Sequence, residues 1–555
     1  MHTFNVLSRR SFLDRSLKTS LAVALSTLVD IPFVVKRALA EGNIGLNGKK
    51  VLFVWLRFGN DGLNNIIPIQ DPEYTAIRST IEIQKDLINP NYYSALGPCD
   101  YPISSPTLGD PAFNTFWYDK GIRLGNGFAA LHPALKFLAP VYNAGDLALI
   151  HRVAYPKQSR SHFDSQNYWE NGNPNNNLSK DGIFYRTIIE SGLANTSPLT
   201  GISIQSALPL LLRGSQAAMT NLTSPSKYDL SGVPSLNAVG DNKAFNAMAS
   251  GNYYPFAPKR NRELLELQYQ NMSNTLRIFG GLDFNETGNT FRDNVSTDGD
   301  SAPYYLFPTT NAKNGGYQFH SNNVNKYVVP PSQYGFFNNL KAAAMILNKT
   351  DAVIAGTELG GFDTHQTQGG ATGGHANLLQ TVGWSMYALQ KYFTQYAEKA
   401  VWKDVVVVTF SEFGRTAVEN SNAGTDHAEA GVMYVAGGGI KGYGRGNLSG
   451  VFGCSPNDSI PWVTGTRASS LSTCNTMYAA GLPLSNNGLP AAAGYLRRSI
   501  DYRSVLGEVI RKHLGATQNQ LNRIIPGYGN PGESLLAGGS SSVDGVQIRG
   551  ELGIL

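Results

Sequence analysis

Cysteine is scarce: Cys99, Cys454 and Cys474 are the only three in 555 residues. So few thiols, so widely spaced, exclude a disulfide framework and a thiolate metal centre. Cys454 and Cys474 could pair after export, and one free thiol would then remain. A surplus of charge is lacking as well. Six of the 45 Lys/Arg and two of the 40 Asp/Glu lie in the first forty residues, leaving 39 basic and 38 acidic residues in the remainder. A nearly neutral chain carries no electrostatic footprint for nucleic acid and no polybasic membrane surface. Nor is there a long unbroken apolar run. The N-terminal stretch "SLAVALSTLVDIPFVV" is interrupted by Asp30 and Pro32, and so falls short of a membrane span. No dinucleotide fingerprint and no internal repeat occurs, which sets an oxidoreductase reading well behind the others.

What is present begins with a targeting signal. "SRRSFLDR" places Arg9 and Arg10 ahead of that apolar stretch, and "RALA" follows with Ala38 and Ala40 in a small-x-small pair. This is the twin-arginine export pattern, with cleavage expected after Ala40. It predicts the twin-arginine translocase as an export partner and a periplasmic or secreted location. Because that pathway carries folded proteins, it is compatible with a metal loaded before export.

The mature chain then alternates. "KKVLFVWLRF" is a buried strand that stops at Gly59 and Asp61. "HPALKFLAPVYNAG" reads as a helix, "DLALIHRVAY" as a strand, and "PKQSRSHFDSQNYWENG" as its polar sequel. Farther on, "FFNNLKAAAMILNKT", "DAVIAGTEL" and "GGFDTHQTQGG" repeat the helix, strand and loop, as do "HANLLQTVGWSMYALQKYFTQYAEKA", "WKDVVVVTF" and "SEFGRTAVENSNAGTDHAEAG". Helices between apolar strands predict an α/β sheet covered on both faces, with ligands gathering at the carboxyl ends of the strands. The pattern weakens over residues 195–330, read as a loop-rich insertion or cap, and residues 516–555 read as a loose Gly/Ser-rich tail. One α/β domain over residues 41–515 is the resulting division.

The strand ends carry the chemistry. Asp61, Asp363, His365, Glu412, Asp426 and His427 are the residue types that hold a hard or borderline divalent ion. An Asp-Thr-His turn is equally compatible with a hydrogen-bonded cap. Ser161 stands at a helix start, where a hydroxyl can be activated by a metal, and with Asp164 three residues later it also fits an ordinary N-cap. Arg160 and Arg415 are suited to clamping a phosphate or sulfate oxyanion, or to an ion pair. His132, His151 and His375 read as caps or packed core.

Together, "VLFVWLRFGNDGLNNIIP", "LHPAL", "SRSHFDSQNYWENG", "GGFDTHQTQ", "VVVTFSEFGRTAVENSNAGTDHAEAG" and "DYRSVLGEVI" resemble, in the same order, the exported bacterial family called domain of unknown function 1501. That family looks like a member of the alkaline phosphatase-like superfamily, which includes sulfatases and metal-dependent phosphoglycerate mutases. The resemblance implies a three-layer α/β/α sheet, one or two divalent ions (Zn, Mg, Mn or Ca), and a small-molecule or polysaccharide ester as substrate. It implies that Asp61, Asp363, His365, Glu412, Asp426 and His427 serve as metal ligands and Ser161 as nucleophile. Two departures stand out: Asp363-Thr-His365 replaces Asp-x-x-x-His, and Glu412-Phe413 replaces an Asp-His pair, removing one imidazole. The expectation is an exported metal-dependent ester hydrolase using Ser161 or a metal-activated water. Its alternative is a non-catalytic binding or assembly protein on the same fold.

Overall fold

The alternation of side chains along one strand organises the molecule. In β1 (Lys50–Leu56) every residue is buried; Leu52, Val54 and Leu56 enter one apolar core, and Val51, Phe53 and Trp55 enter another. A period of two sends successive side chains to opposite faces. A strand apolar on both faces must therefore lie between two layers. The computed structural model describes residues 44–85, 91–99, 120–193, 200–217, 219–223, 329–446, 448–462, 495–530 and 532–555, with scattered positions between 275 and 327. The N-terminal signal, Cys474 and most of the helix-like stretch near residues 261–279 lie outside the described residues.

The central sheet gathers β1, β2 (Leu147–Ala154), β3 (Gly201–Ile204), β4 (Thr220–Leu222), β5 (Ile354–Leu359), β6 (Val405–Phe410), β7 (Gly431–Ala436), β8 (Val451–Phe452) and β9 (Ile500–Asp501). Their order is β8-β2-β7-β6-β1-β5-β3-β4, with β9 also paired to β2. It is a mixed sheet. β1 runs parallel to β5 and β6, while β7 is antiparallel to both β6 and β2. The carboxyl ends of β1, β2, β5 and β6 therefore share one edge with the amino end of β7.

One face is covered by α1 (Leu138–Asn143), α4 (Tyr334–Lys349) and α5 (Gly374–Gln395), whose buried side chains join Val405 and Val407 of β6. On the other face, α2 (His162–Asn171), α3 (Ile183–Glu190), α6 (Tyr502–Glu508) and α7 (Gln518–Ile524) join Val406, Val408 and Phe410. Each fully buried side chain of this kind contributes about 1.5–3 kcal/mol. Among the described residues no helix is long and apolar enough to cross a membrane.

Two stretches differ from the sequence expectation. Part of the segment expected as an insertion, residues 201–222, supplies β3 and β4 to the sheet edge. The expected loose tail is packed: Leu552 and Ile554 are buried, and the carboxylate of Glu508 accepts from the backbone N–H groups of Leu552, Gly553 and Leu555 at 2.7–3.0 Å. Turns at Gly527, Gly529 and Gly532 fold the segment back, and Leu535, Ile548, Leu552 and Ile554 reach the core.

Candidate metal centre

Two loops at the shared edge are fastened to each other. After β5, Thr364, Thr367 and Gln368 bond through their backbones to Thr425, Asn422 and Ala423. The excursion from β6 to β7 folds back on itself: Gly414 N donates to Glu429 O, Thr416 N to Asp426 O, and Ala428 N to Gly414 O. This pairing sets Arg415 opposite His427. At Gly424 any side chain would collide with the neighbouring loop, since an added Cβ would lie 2.4 Å from the His365 carbonyl.

The fastened loops bring Asp363, His365 and His427 together, and the first turn of α2 adds His162. Asp363 Oδ1 lies 3.0 Å from His365 Nε2 and 3.2 Å from His427 Nε2, and Asp363 Oδ2 lies 3.6 Å from His162 Nε2. Ligand atoms of His162, Asp363 and His427 all fall within 4.8 Å of one another. In each imidazole the opposite nitrogen has an acceptor that holds its proton. His162 Nδ1 donates to Glu412 Oε1 at 2.9 Å, His365 Nδ1 to Asp426 Oδ1 at 2.8 Å, and His427 Nδ1 to the carbonyl of Arg160 at 2.9 Å. With Nδ1 turned to these acceptors, the Nε2 atom of each ring is the one turned toward Asp363, the arrangement that metal-binding histidines require.

Two observations test whether a cation fits. His365 Nε2 and His427 Nε2 stand 3.0 Å apart, both beside Asp363 Oδ1, a spacing open to a ring-to-ring hydrogen bond or to two donors on one cation. Neighbouring donors around an ion bound tetrahedrally at about 2.0–2.1 Å are separated by about 3.3 Å, close to that spacing. His162 Nε2 is buried without a hydrogen-bond partner. The group fits a divalent ion. It is also reachable, because the side chains of Asp363 and His365 are each 42% exposed.

The electrostatics at His427 favour a neutral imidazole. Burial pushes the pKa of His427 down, against the pull of Asp363. Burial would raise the carboxyl of Asp363, but Arg415, bonded to it at 2.5 Å, holds it below the usual range. Glu412 is likewise kept low, against its burial, by donors from His162 and Gln166. Its Oε2 is buried and unpartnered.

Several residues expected on the ion, or on substrate, are committed elsewhere. Asp61 is buried, with both oxygens bonded to Arg78 at 2.5 and 2.9 Å and one to Gln368 at 2.6 Å. Arg78 overcomes the effect of burial and keeps the Asp61 carboxyl low. Gln368 in turn accepts from Thr364 and Thr425, so Asp61 braces the two loops from below. Glu412 and Asp426 stand behind histidines, each with an oxygen on an Nδ1. Arg415 is buried, and its guanidinium serves Asp363 and the carbonyls of Phe58, Gly59, Phe362 and Thr425. No oxyanion clamp is left in it. Arg160 is exposed and lies over the ring of Tyr495 at 5.0 Å. Ser161 Oγ caps α2, accepting from Asp164 N at 3.4 Å.

His162, by contrast, is a donor that sequence reasoning passed over. Attention in that stretch falls on Ser161, as a hydroxyl nucleophile or an N-cap with Asp164, and not on the imidazole between them. Phe413, standing where an imidazole is expected from the resemblance, packs against the rings of His162 and His427, with centroids 4.8 and 4.7 Å away.

A family model described as "Protein of unknown function (DUF1501)" matches residues 321–450. That segment includes Asp363, His365 and His427 and excludes His162, and the match supports the family resemblance there. No curated protein and no solved structure matches the chain.

Proposed function

We propose that this chain is an exported metal-dependent hydrolase of phosphate or sulfate esters, built around one divalent ion held by His162, Asp363, His365 and His427. One observation carries the reading: ligand atoms of His162, Asp363 and His427 lie within 4.8 Å of one another, Nε2 of His365 stands 3.0 Å from both Asp363 Oδ1 and His427 Nε2, and every Nδ1 faces an outer acceptor. Bound there, a divalent ion would polarise an ester oxygen and lower the pKa of a water molecule. Three nitrogens and one oxygen suit zinc better than magnesium or calcium. The ester class rests on the resemblance to the alkaline phosphatase-like superfamily, and export rests on the twin-arginine pattern of residues 1–40.

The chain's own residues have distinct tasks in this reading. Glu412 and Asp426 fix the orientation of His162 and His365, Arg415 fixes Asp363, and exposed Arg160 meets the oxyanion. Ser161 Oγ must leave its cap to attack, so a water entering from the exposed side of Asp363 and His365 is the better-supported nucleophile. Elemental analysis of the exported protein, with hydrolysis of p-nitrophenyl phosphate and sulfate, tests the reading. The expected result is one zinc per chain, and activity that survives Ser161→Ala and is lost in His427→Ala. Absence of both ion and hydrolysis removes it.

A second reading follows if His365 is counted as a fourth donor beside the group of three, since catalytic zinc sites commonly have three protein ligands and structural ones four. On that reading the chain is a binding or assembly protein. It would hold zinc, hydrolyse no ester, and keep its cellular role in Ser161→Ala.

A further inference from the structure

The loop after β1 presents an aromatic ring to the metal centre in a conformation that packing does not account for. Phe58 has φ of +83°, a region in which a bulky residue is an outlier. Glycine would adopt this backbone without strain. The ring gains little from burial, being 41% exposed. Three hydrogen bonds hold the segment in place. Phe58 N donates to Glu412 Oε1 at 2.8 Å, the carbonyl of Phe58 accepts from Arg415 Nη2, and the carbonyl of Gly59 accepts from Arg415 Nε at 2.7 Å.

The outcome of that strain is a ring edge-on to His162, with centroids 5.5 Å apart. The opposite loop contributes Gly360, where an added Cβ would lie 3.5 Å from the Phe58 ring, so no side chain covers the ring from that side. Single exposed apolar residues need no explanation. Phe58 differs because it is strained, anchored by the two residues that also anchor His162 and Asp363, and set against a candidate ligand. Strain of this kind collects at ligand clamps.

Building on the hydrolase reading, we propose that Phe58 walls a subsite for the organic part of the ester, and that the substrates are esters of aromatic or comparably flat, apolar alcohols. The charged head meets the ion while the organic group lies on the Phe58 ring, where offset or edge-on aromatic contact is favourable.

Binding of phenylphosphonate and methylphosphonate to the zinc-loaded full chain, measured by calorimetry, tests this without turnover. The wild-type protein should prefer the phenyl compound by roughly threefold to tenfold. Phe58→Ala should bring that ratio close to one while leaving zinc content and methylphosphonate binding in place, and Phe58→Leu should fall between. Equal binding of the two compounds by the wild-type protein overturns the subsite and leaves the hydrolase reading standing. So does a Phe58→Ala variant that weakens both compounds alike, which would mark the residue as a support for the loop. If a zinc-loaded chain binds neither compound, the hydrolase reading falls and the subsite falls with it.

Discussion

Where the proton sits on each histidine decides what the site can do. Glu412 and Asp426 hold protons on Nδ1 of His162 and His365, so removing either acceptor frees a ring to turn or change tautomer. Glu412→Gln and Asp426→Asn should each weaken zinc binding by about 10- to 100-fold, as loss of an outer partner typically does, read by competition with a chromophoric chelator. Asp61→Asn should behave differently. It removes the carboxylate that is ion-paired with the buried Arg78 guanidinium, at a cost of roughly 3–5 kcal/mol. Denaturant titration should therefore show a large loss of stability that outweighs the change in zinc affinity. A variant that loses zinc at unchanged stability would place Asp61 on the ion instead. None of this division of labour was legible in the sequence. Asp61, Glu412 and Asp426 are chemically fit to be ligands, and only the arrangement of Arg78, His162 and His365 around them separates ligand from support. His162 was obscured for the same reason, since the acceptor that orients it lies 250 residues away.

At the scale of elements, more was legible. Continuous apolar runs such as "VVVVTF" mark strands buried on both faces, and the sequence places Asp363, His365 and Glu412 at strand ends for that reason. The direction of β7 was not legible, because a six-residue apolar run reads the same in either sense. Its antiparallel course is what returns Asp426 and His427 to the carboxyl edge of β6 without a helical crossover. The fit between the two fastened loops was equally hidden. Gly424 is one glycine among 59, and its role emerges only from the His365 carbonyl beside it. Gly424→Ala forces these backbones apart and should move His365 away from His427. Zinc affinity is expected to drop at least tenfold with an unchanged far-ultraviolet circular dichroism spectrum, because the sheet lies outside the strained contact. Unaltered affinity would show that the loops have slack.

For the molecule as a whole, the two cores on either side of the sheet follow from strand alternation, and the C-terminal residues close one of them against α6. The reading of that tail as loose erred because glycine and serine content was weighed above the spacing of Leu552 and Ile554. Both cores also enclose ionisable groups, and these set the response to acid. His132, His151, His375 and His513 are buried. Burial is the main cause that pushes their pKa values down, to about 3, 3, 4 and 4 respectively. The ordinary value is about 6.5. From about pH 6.5 down to about pH 4 the unfolded chain takes up protons on these histidines that the folded chain refuses. Acid therefore favours unfolding, and the stability present above pH 6.5 is lost as pH falls. Each group contributes about 1.4 kcal/mol per pH unit within that window. Four together remove roughly 5 kcal/mol by about pH 5.5, and Glu429 and Asp458, pushed up by burial to about 7 and about 6, bind protons in the folded chain over the same window and offset part of that loss. Urea midpoints measured from pH 7.5 to 5 should fall, by less than the histidines alone would give. His513→Gln retains a donor for the carbonyl of Lys50, which His513 Nε2 now meets at 3.0 Å. That variant should lose about one proton's worth of the slope and keep its midpoint at pH 7.5 close to that of the wild-type protein. A stability that stays flat across this range would mean that the four rings accept protons in the folded state, and that these interiors are wetter than their burial implies.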